Sequence, residues 1–139
     1  MADDLTNIKD FPRAGAPATA PRSMPHNLPA EQNLLGAILL DNSVIERIDD
    51  RLVDAHFYDP LHGRIFATMQ RLIERGQLAN PVTLNSFFTN SAEAEDGDVG
   101  TYLSELADGV ISITQAPDYA HTIYEAHIRR ELILIGDEV

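Results

Sequence analysis

The sequence contains no cysteine, no tryptophan and a single lysine, Lys9. Without cysteine there is no disulfide and no thiolate metal site. With the one lysine in the N-terminal tail, a G-x-x-x-x-G-K-[ST] phosphate loop cannot form, because that loop needs its lysine to neutralise phosphate charge. A G-x-G-x-x-G turn is also missing. No apolar run approaches the length needed to cross a bilayer. The N-terminus lacks the apolar stretch of a secretory signal. These absences lead to the expectation of a cytoplasmic protein with no membrane partner.

Positive charge is scarce elsewhere too. The net charge is -12. Residues 1–27 balance Asp3, Asp4 and Asp10 against Lys9, Arg13 and Arg22, so the body from Leu28 carries the whole excess, seven arginines against nineteen acids. A surface that binds duplex nucleic acid needs clustered cations to displace counterions. Taken alone, this body is expected to bind nucleic acid poorly. What the chain does have is apolar residues, 44% of 139, enough for the core of one domain.

Candidate chemistry is thin. His56, His62, His121 and His127 invite a metal reading, and His121 and Glu125 stand four apart on one helical stretch. Zinc needs three or four converging ligands, and neither histidine pair has H-E-x-x-H spacing. His62 reads instead as a hydrogen-bonding residue at a helix start. A calcium loop counted from Asp96 would put Thr101 at position six and Ala107 at position twelve, where glycine and glutamate are required. No serine has a His and Asp arrangement of the triad kind. The expectation is a chain with no catalytic, cofactor-binding or metal-binding residues, acting by association.

The organisation is helical. Residues 1–26 hold four prolines and no periodicity and read as a disordered tail, in which LTNIKDF could be a docking motif. Asn27 or Leu28 caps a first helix with Pro29 in its opening turn and Leu34, Leu35, Ile38 and Leu39 on its apolar face. Asn42 or Ser43 caps a second, with Val44, Ile45, Ile48 and Leu52 buried. Asp59 and Pro60 open a third, running to Arg75, before a stop at Gly76. Short helices follow around Thr83 to Thr89 and in VGTYLSELAD, separated by the acidic loop SAEAEDGD. GVISIT reads as a loop.

Pro117 opens a last helix, with Ala120, Tyr124, Ile128, Leu132 and Ile135 in a stripe that Ile123, Ile133 and Leu134 widen. The fold class is all-α: a compact head of about five short helices, residues 27–115, followed by one long helix, 116–139. That helix needs a partner for its apolar side.

At this level of detail the residues resemble a known family. LPAEQNLLGAILLDN is similar to the opening of the N-terminal domain of bacterial DnaB-type replicative helicases. HFYDPLHGRIFATMQRLIERGQ, PVTL, DVGTYLSELAD and ITQAPDYAHTIYEAHIRREL resemble its later segments in the same order, from Pro25 to about Ile135. Thr101 departs from the pattern, standing where a glycine is usual.

The resemblance implies a helical head followed by a two-helix hairpin, of which 116–139 would be the first half. Hairpins of neighbouring subunits would pack into a hexameric collar that also receives a DnaG-type primase. It assigns ATP, magnesium and DNA translocation to a RecA-like C-terminal domain absent from this sequence, so DNA would be a partner only of the full-length hexamer. On the last helix Tyr119, Ile123, Tyr124, Ile128, Leu132 and Ile135 become self-association candidates, and Arg129 and Arg130 docking candidates. Two other readings are a free-standing adaptor or regulator with the same fold, and a small metalloprotein using His121, His127 and nearby acids.

Overall fold

Proline and small polar residues set where the helices begin. The structure, a computed structural model, describes residues 24–89 and 99–138. The stretches 1–23, with LTNIKDF, and 90–98, with the whole of the acidic loop SAEAEDGD, lie outside the described residues. The helices are α1 (Leu28–Leu40), α2 (Pro60–Glu74), α3 (Pro81–Thr89), α4 (Val99–Asp108) and α5 (Ala116–Glu138). Short 3-10 segments lie at Asn42–Glu46 and Asp54–His56, and no strand occurs among the described residues.

Each start has a local cause. The Asn27 side chain accepts from the Ala30 amide at 2.9 Å, with Pro29 in the first turn of α1. Asp59 accepts from the Leu61 amide at 2.9 Å, and Pro60 opens α2. Gly76, at φ 76°, ends α2 in the left-handed conformation glycine tolerates, while the Gln77 amide turns back to the Leu72 carbonyl at 2.9 Å. Helix α3 starts at Pro81, ahead of the expected Thr83, because Asn80 and Thr83 exchange backbone–side-chain bonds of 3.0 and 2.9 Å around it. Thr101, at the departure from the family pattern, lies exposed within α4.

One cap was misassigned by the sequence reading. Asp41, not Asn42 or Ser43, caps the segment after α1, accepting from the Ser43 amide at 3.1 Å. That segment is one 3-10 turn and not a full helix. Asn42 instead brackets distant backbone. Its Nδ2 donates to the Ile38 carbonyl at 2.7 Å and the Ala79 carbonyl at 2.9 Å, and its Oδ1 accepts from the Ala79 amide at 2.9 Å. The α2–α3 connection is thereby pinned to the end of α1.

Helix α1 lies at the centre. Leu34, Leu35, Gly36, Ala37, Ile38 and Leu39 are all buried in succession, which one apolar face cannot explain. Helices α2, α4 and α5 all pack on α1 and cover it on several sides. The closest approach is at Gly36, where an added Cβ would overlap the Leu106 carbonyl oxygen and a Val110 methyl. Glycine there lets α4 lie against the α1 backbone. Ala116, Ala120 and Ile123 belong to the same core, so the first half of α5 closes the head. The core therefore does not end at residue 115.

Gly36→Ala is expected to destabilise the fold by about 1–3 kcal/mol through overpacking against α4. Nothing lies within 4 Å of an added Cβ at Gly136, so Gly136→Ala should be neutral or stabilising by up to about 1 kcal/mol. Urea titration of both variants checks the contrast. Equal effects would remove the close-approach explanation.

Candidate interaction surface

The seat of α5 begins with a buried polar pair beneath it. Glu31 and His62 are each 1% exposed. His62 Nδ1 lies 2.8 Å from Glu31 Oε1, and its Nε2 lies 2.5 Å from the Tyr102 hydroxyl, to which Gln32 also donates at 3.3 Å. Glu31 accepts in addition from the Tyr58 amide at 2.7 Å and the Asp59 amide at 3.4 Å. Residues of α1, α2 and α4 and the corner before α2 meet in this one network. A carboxylate–imidazole–hydroxyl row resembles a proton relay. With its carboxylate and imidazole buried, this one holds the 57–59 corner in place. His62 thus bonds at a helix start, as its sequence position suggested.

That corner and the segment before it receive α5. Arg130 Nη1 donates to the Pro25 carbonyl and Nη2 to the His56 carbonyl, each at 2.8 Å, and its guanidinium lies 5.6 Å from the Tyr58 ring centroid. His26 stacks on Tyr58 with ring centroids 4.1 Å apart. The His56 and His127 rings are 4.4 Å apart. Arg51 lies over the Tyr124 ring at 5.0 Å, oriented by a chelating Asp49 carboxylate at 2.7–3.1 Å. Those bonds hold Asp49 down at about 2.

The candidates on α5 separate by position. Ile123 is 1% exposed and is taken up by the head's own core, so it is not available to a second chain. Tyr119 and Tyr124 are half-buried against that core. Ile128, Leu132 and Ile135 face solvent at 39%, 62% and 56%, and Ile133 and Leu134 are exposed beside them. Arg129 is exposed, whereas both terminal nitrogens of Arg130 are engaged by backbone carbonyls. The predicted stripe therefore changes function along its length. Its first half builds the head, and its second half presents five large aliphatic side chains.

His121 pairs with Glu125 at 3.3 Å on the exposed side of α5, apart from His127, and no cluster of three metal-ligating side chains occurs among the described residues. Asp49 and Asp50 sit in the connection between the 3-10 segments and not on a helix face. The described residues also contain no lysine, and nothing in them fits a nucleotide phosphate cradle.

Sequence reasoning missed the Glu31–His62–Tyr102 network, the Asn42 bracket and the Arg130 latch. Apart from the local Asn42–Ile38 bond, their partners lie 27 to 105 residues apart, and no periodicity reports such pairs. The local hints were a glutamate in the first turn of a mostly apolar helix and a histidine at the start of α2.

Burial and the nearby His127 and Arg130 lower the His56 pKa below its ordinary value, against a smaller opposing pull from Asp54. The Val53 amide donates to His56 Nδ1 at 3.1 Å, a bond lost on protonation. The unfolded chain therefore takes up the proton first as pH falls through about 6.5. Stability contributed here is complete above that pH and declines as the pH falls towards the depressed folded value. Urea midpoints between pH 7.5 and 5 should fall with acidity, and His56→Gln should flatten the slope. An unchanged slope would assign it to other groups.

Comparison with known proteins agrees with this geometry. The family described as DnaB-like helicase N terminal domain matches residues 23–125. The replicative DNA helicase DnaB of Rickettsia prowazekii is 37% identical over 119 residues, which cover 86% of this chain and 24% of that protein. Its counterpart in Geobacillus stearothermophilus is 34% identical over 112 residues, covering 81% and 25%. This chain thus spans about a quarter of the length of the curated relatives it matches. The crystal structure of the N-terminal domain of DnaB helicase from Mycobacterium tuberculosis superposes with a TM-score of 0.77 at 29% identity, covering 84% of this chain and 83% of that one. A DnaB-like replicative helicase, solved in a study of its interactions with primase, superposes at 0.67 with 30% identity, covering 81% and 26%.

Proposed function

The chain belongs to the DnaB-like helicase N-terminal domain family, and from that premise we propose that it serves as the non-catalytic collar of a replicative DNA helicase. In this reading the collar assembles subunits through α5 and receives a DnaG-type primase during DNA replication. ATP, magnesium and the translocating DNA strand belong to the RecA-like domain of the full-length family members.

The exposed end of α5 carries this reading. Ile128, Leu132, Ile133, Leu134 and Ile135 stand on a helix whose first half is firmly seated. Ile128, Leu132 and Ile135 share one face of that helix, and exposed aliphatic side chains grouped in this way mark an interface when they sit on a well-folded chain. Self-association through the last helix, as in a helical hairpin, would cover it. Ile128, Leu132 and Ile135 are the proposed contacts, with Tyr119 and Tyr124 at the edge. Primase docking rests on the structural neighbour whose study concerns that interaction. Arg129 is the candidate of the two arginines with a free surface, because Arg130 is engaged within the chain.

Truncation at Gln115 is not a suitable test, since it would strip Ala116, Ala120 and Ile123 from the core. A double variant Leu132→Glu, Ile135→Glu leaves the core whole. Light scattering over a concentration range should show self-association of the parent chain and a monomeric variant with an unchanged unfolding midpoint. A parent chain that stays monomeric at the highest concentration, or a variant that associates equally, would refute assembly through this patch. Titration with a DnaG-type primase tests the second role, and Arg129→Glu is expected to weaken that binding.

A further inference from the structure

Residues 45–52 and helix α2 enclose a groove of about 240 Å³ that is apolar inside and acidic at its edges. Ile48, Leu52 and Phe66 are buried and form its floor, and the half-buried Ile45 and Ile73 form its lips. Asp49 and Asp50 stand on one wall and Glu74 on the other, and no cation among the described residues lines it. Arg51 chelates Asp49, with its guanidinium turned over Tyr124 of α5. The side chains of Asp50 and Glu74 are exposed and make no hydrogen bond or ion pair among the described residues. The groove has room for one large apolar side chain and not for a cofactor.

Its complement is an apolar side chain flanked by cations, and the chain itself carries one. From Ile8 to Arg22 the sequence holds Lys9, Arg13 and Arg22 against Asp10 alone. Phe11 stands two residues from Lys9 on one side and two from Arg13 on the other. Pro12 disfavours helix at Phe11, and in an extended segment residues two apart project to the same side. Bound in that form, Lys9, Phe11 and Arg13 would face the groove together, with Asp10 turned away. Phe11 would fill the apolar floor, and each cation would stand about 7 Å along the segment from it.

The point of attachment brings this segment within reach. The Arg130 guanidinium holds the Pro25 and His56 carbonyls side by side, each at 2.8 Å. His56 is four residues from Leu52 in the groove, a span of at most about 14 Å. Phe11 is fourteen residues before Pro25, enough chain to cover about 46 Å. Tethering also raises the local concentration of the segment to about the millimolar range, so that one apolar anchor and two exposed ion pairs are sufficient to populate the contact.

We propose that the groove between residues 45–52 and α2 is the docking site of the chain's own segment Ile8–Arg13, with Phe11 as the anchor and Asp50 and Glu74 as the partners of Lys9 and Arg13. The groove shares no residue with the apolar end of α5, and the proposal stands whether or not α5 mediates assembly.

The sequence has no cysteine, so Ala14→Cys gives the full chain a single attachment point for a nitroxide beside the segment. Methyl NMR at low ionic strength reads the outcome. The Ile45, Ile48 and Ile73 methyl signals are expected to lose the most intensity among the isoleucines from Ile38 onward, measured against the reduced label. Phe11→Ser in the same chain should restore them. Glu74→Lys, a change on an exposed side chain, should restore them as well, and so should high salt, which screens exposed charges. Circular dichroism of the Glu74→Lys chain confirms that the head is intact.

Intensity loss that is absent, or uniform over the isoleucines, would overturn the proposal. Selective loss that survives Phe11→Ser would overturn the anchor, and loss that survives both Glu74→Lys and high salt would overturn charge recognition. Isotope-labelled chain mixed with spin-labelled chain at natural abundance should show no loss. Selective loss in that mixture would reassign the groove to the tail of a second copy.

Discussion

Helix α1 is covered on several sides, and everything else follows from how that was made possible. A helix packed by three others must be apolar over most of its circumference and narrow where one neighbour crosses. Leu34 to Leu39 supply the first condition and Gly36 the second. The one acid among its buried residues, Glu31, would be costly to bury unpaired. It is met by His62 and by the Tyr58 amide, so its desolvation is offset and the corner before α2 is fixed in the same stroke. The strength of the seat under α5 is thus inherited from the centre of the head.

Two kinds of polar interaction divide the work of positioning. Asn42 and Arg130 both bond to main-chain carbonyls, Asn42 at Ile38 and Ala79, Arg130 at Pro25 and His56. Each satisfies backbone groups in connections that no helix ladder could serve. Glu31 and His62 bond mostly to one another and to nearby amides. The first kind ties connections to helices, and the second ties helix to helix. The apolar end of α5 lies outside both sets of bonds, with Ile128, Leu132 and Ile135 exposed.

The helix starts were legible because they depend on neighbours in the chain. Asn27 with Pro29, Asp59 with Pro60, and Gly76 act within a few residues, and all three stand where their chemistry suggested. The segment after α1 was misread because Asp41 and Asn42 are both good caps, and only the distant Ala79 shows which one is engaged elsewhere. Burial around all of α1 was not legible either: a leucine-rich run looks alike whether one face or several are covered. On α5 the stripe was visible from its spacing. The point at which it stops serving the head was not, since Ile123 and Ile128 differ only in what the folded chain brings beside them.

Helix α5 is a lever as well as a surface. Its pivot is the buried run Ala116, Ala120 and Ile123, and Arg130 is a second point of attachment further along. From Ile123, where the pivot ends, the helix extends for about 22 Å. A tilt of about 10° there would carry the far end sideways by about 4 Å, enough to disturb the interlock of side chains with a facing helix. The angular accuracy of anything built on this end is therefore governed by Ala116, Ala120 and Ile123, which lie buried in the head and outside that end. Enlarging Ala116 or Ala120 would misalign an assembly whose contact residues were all intact.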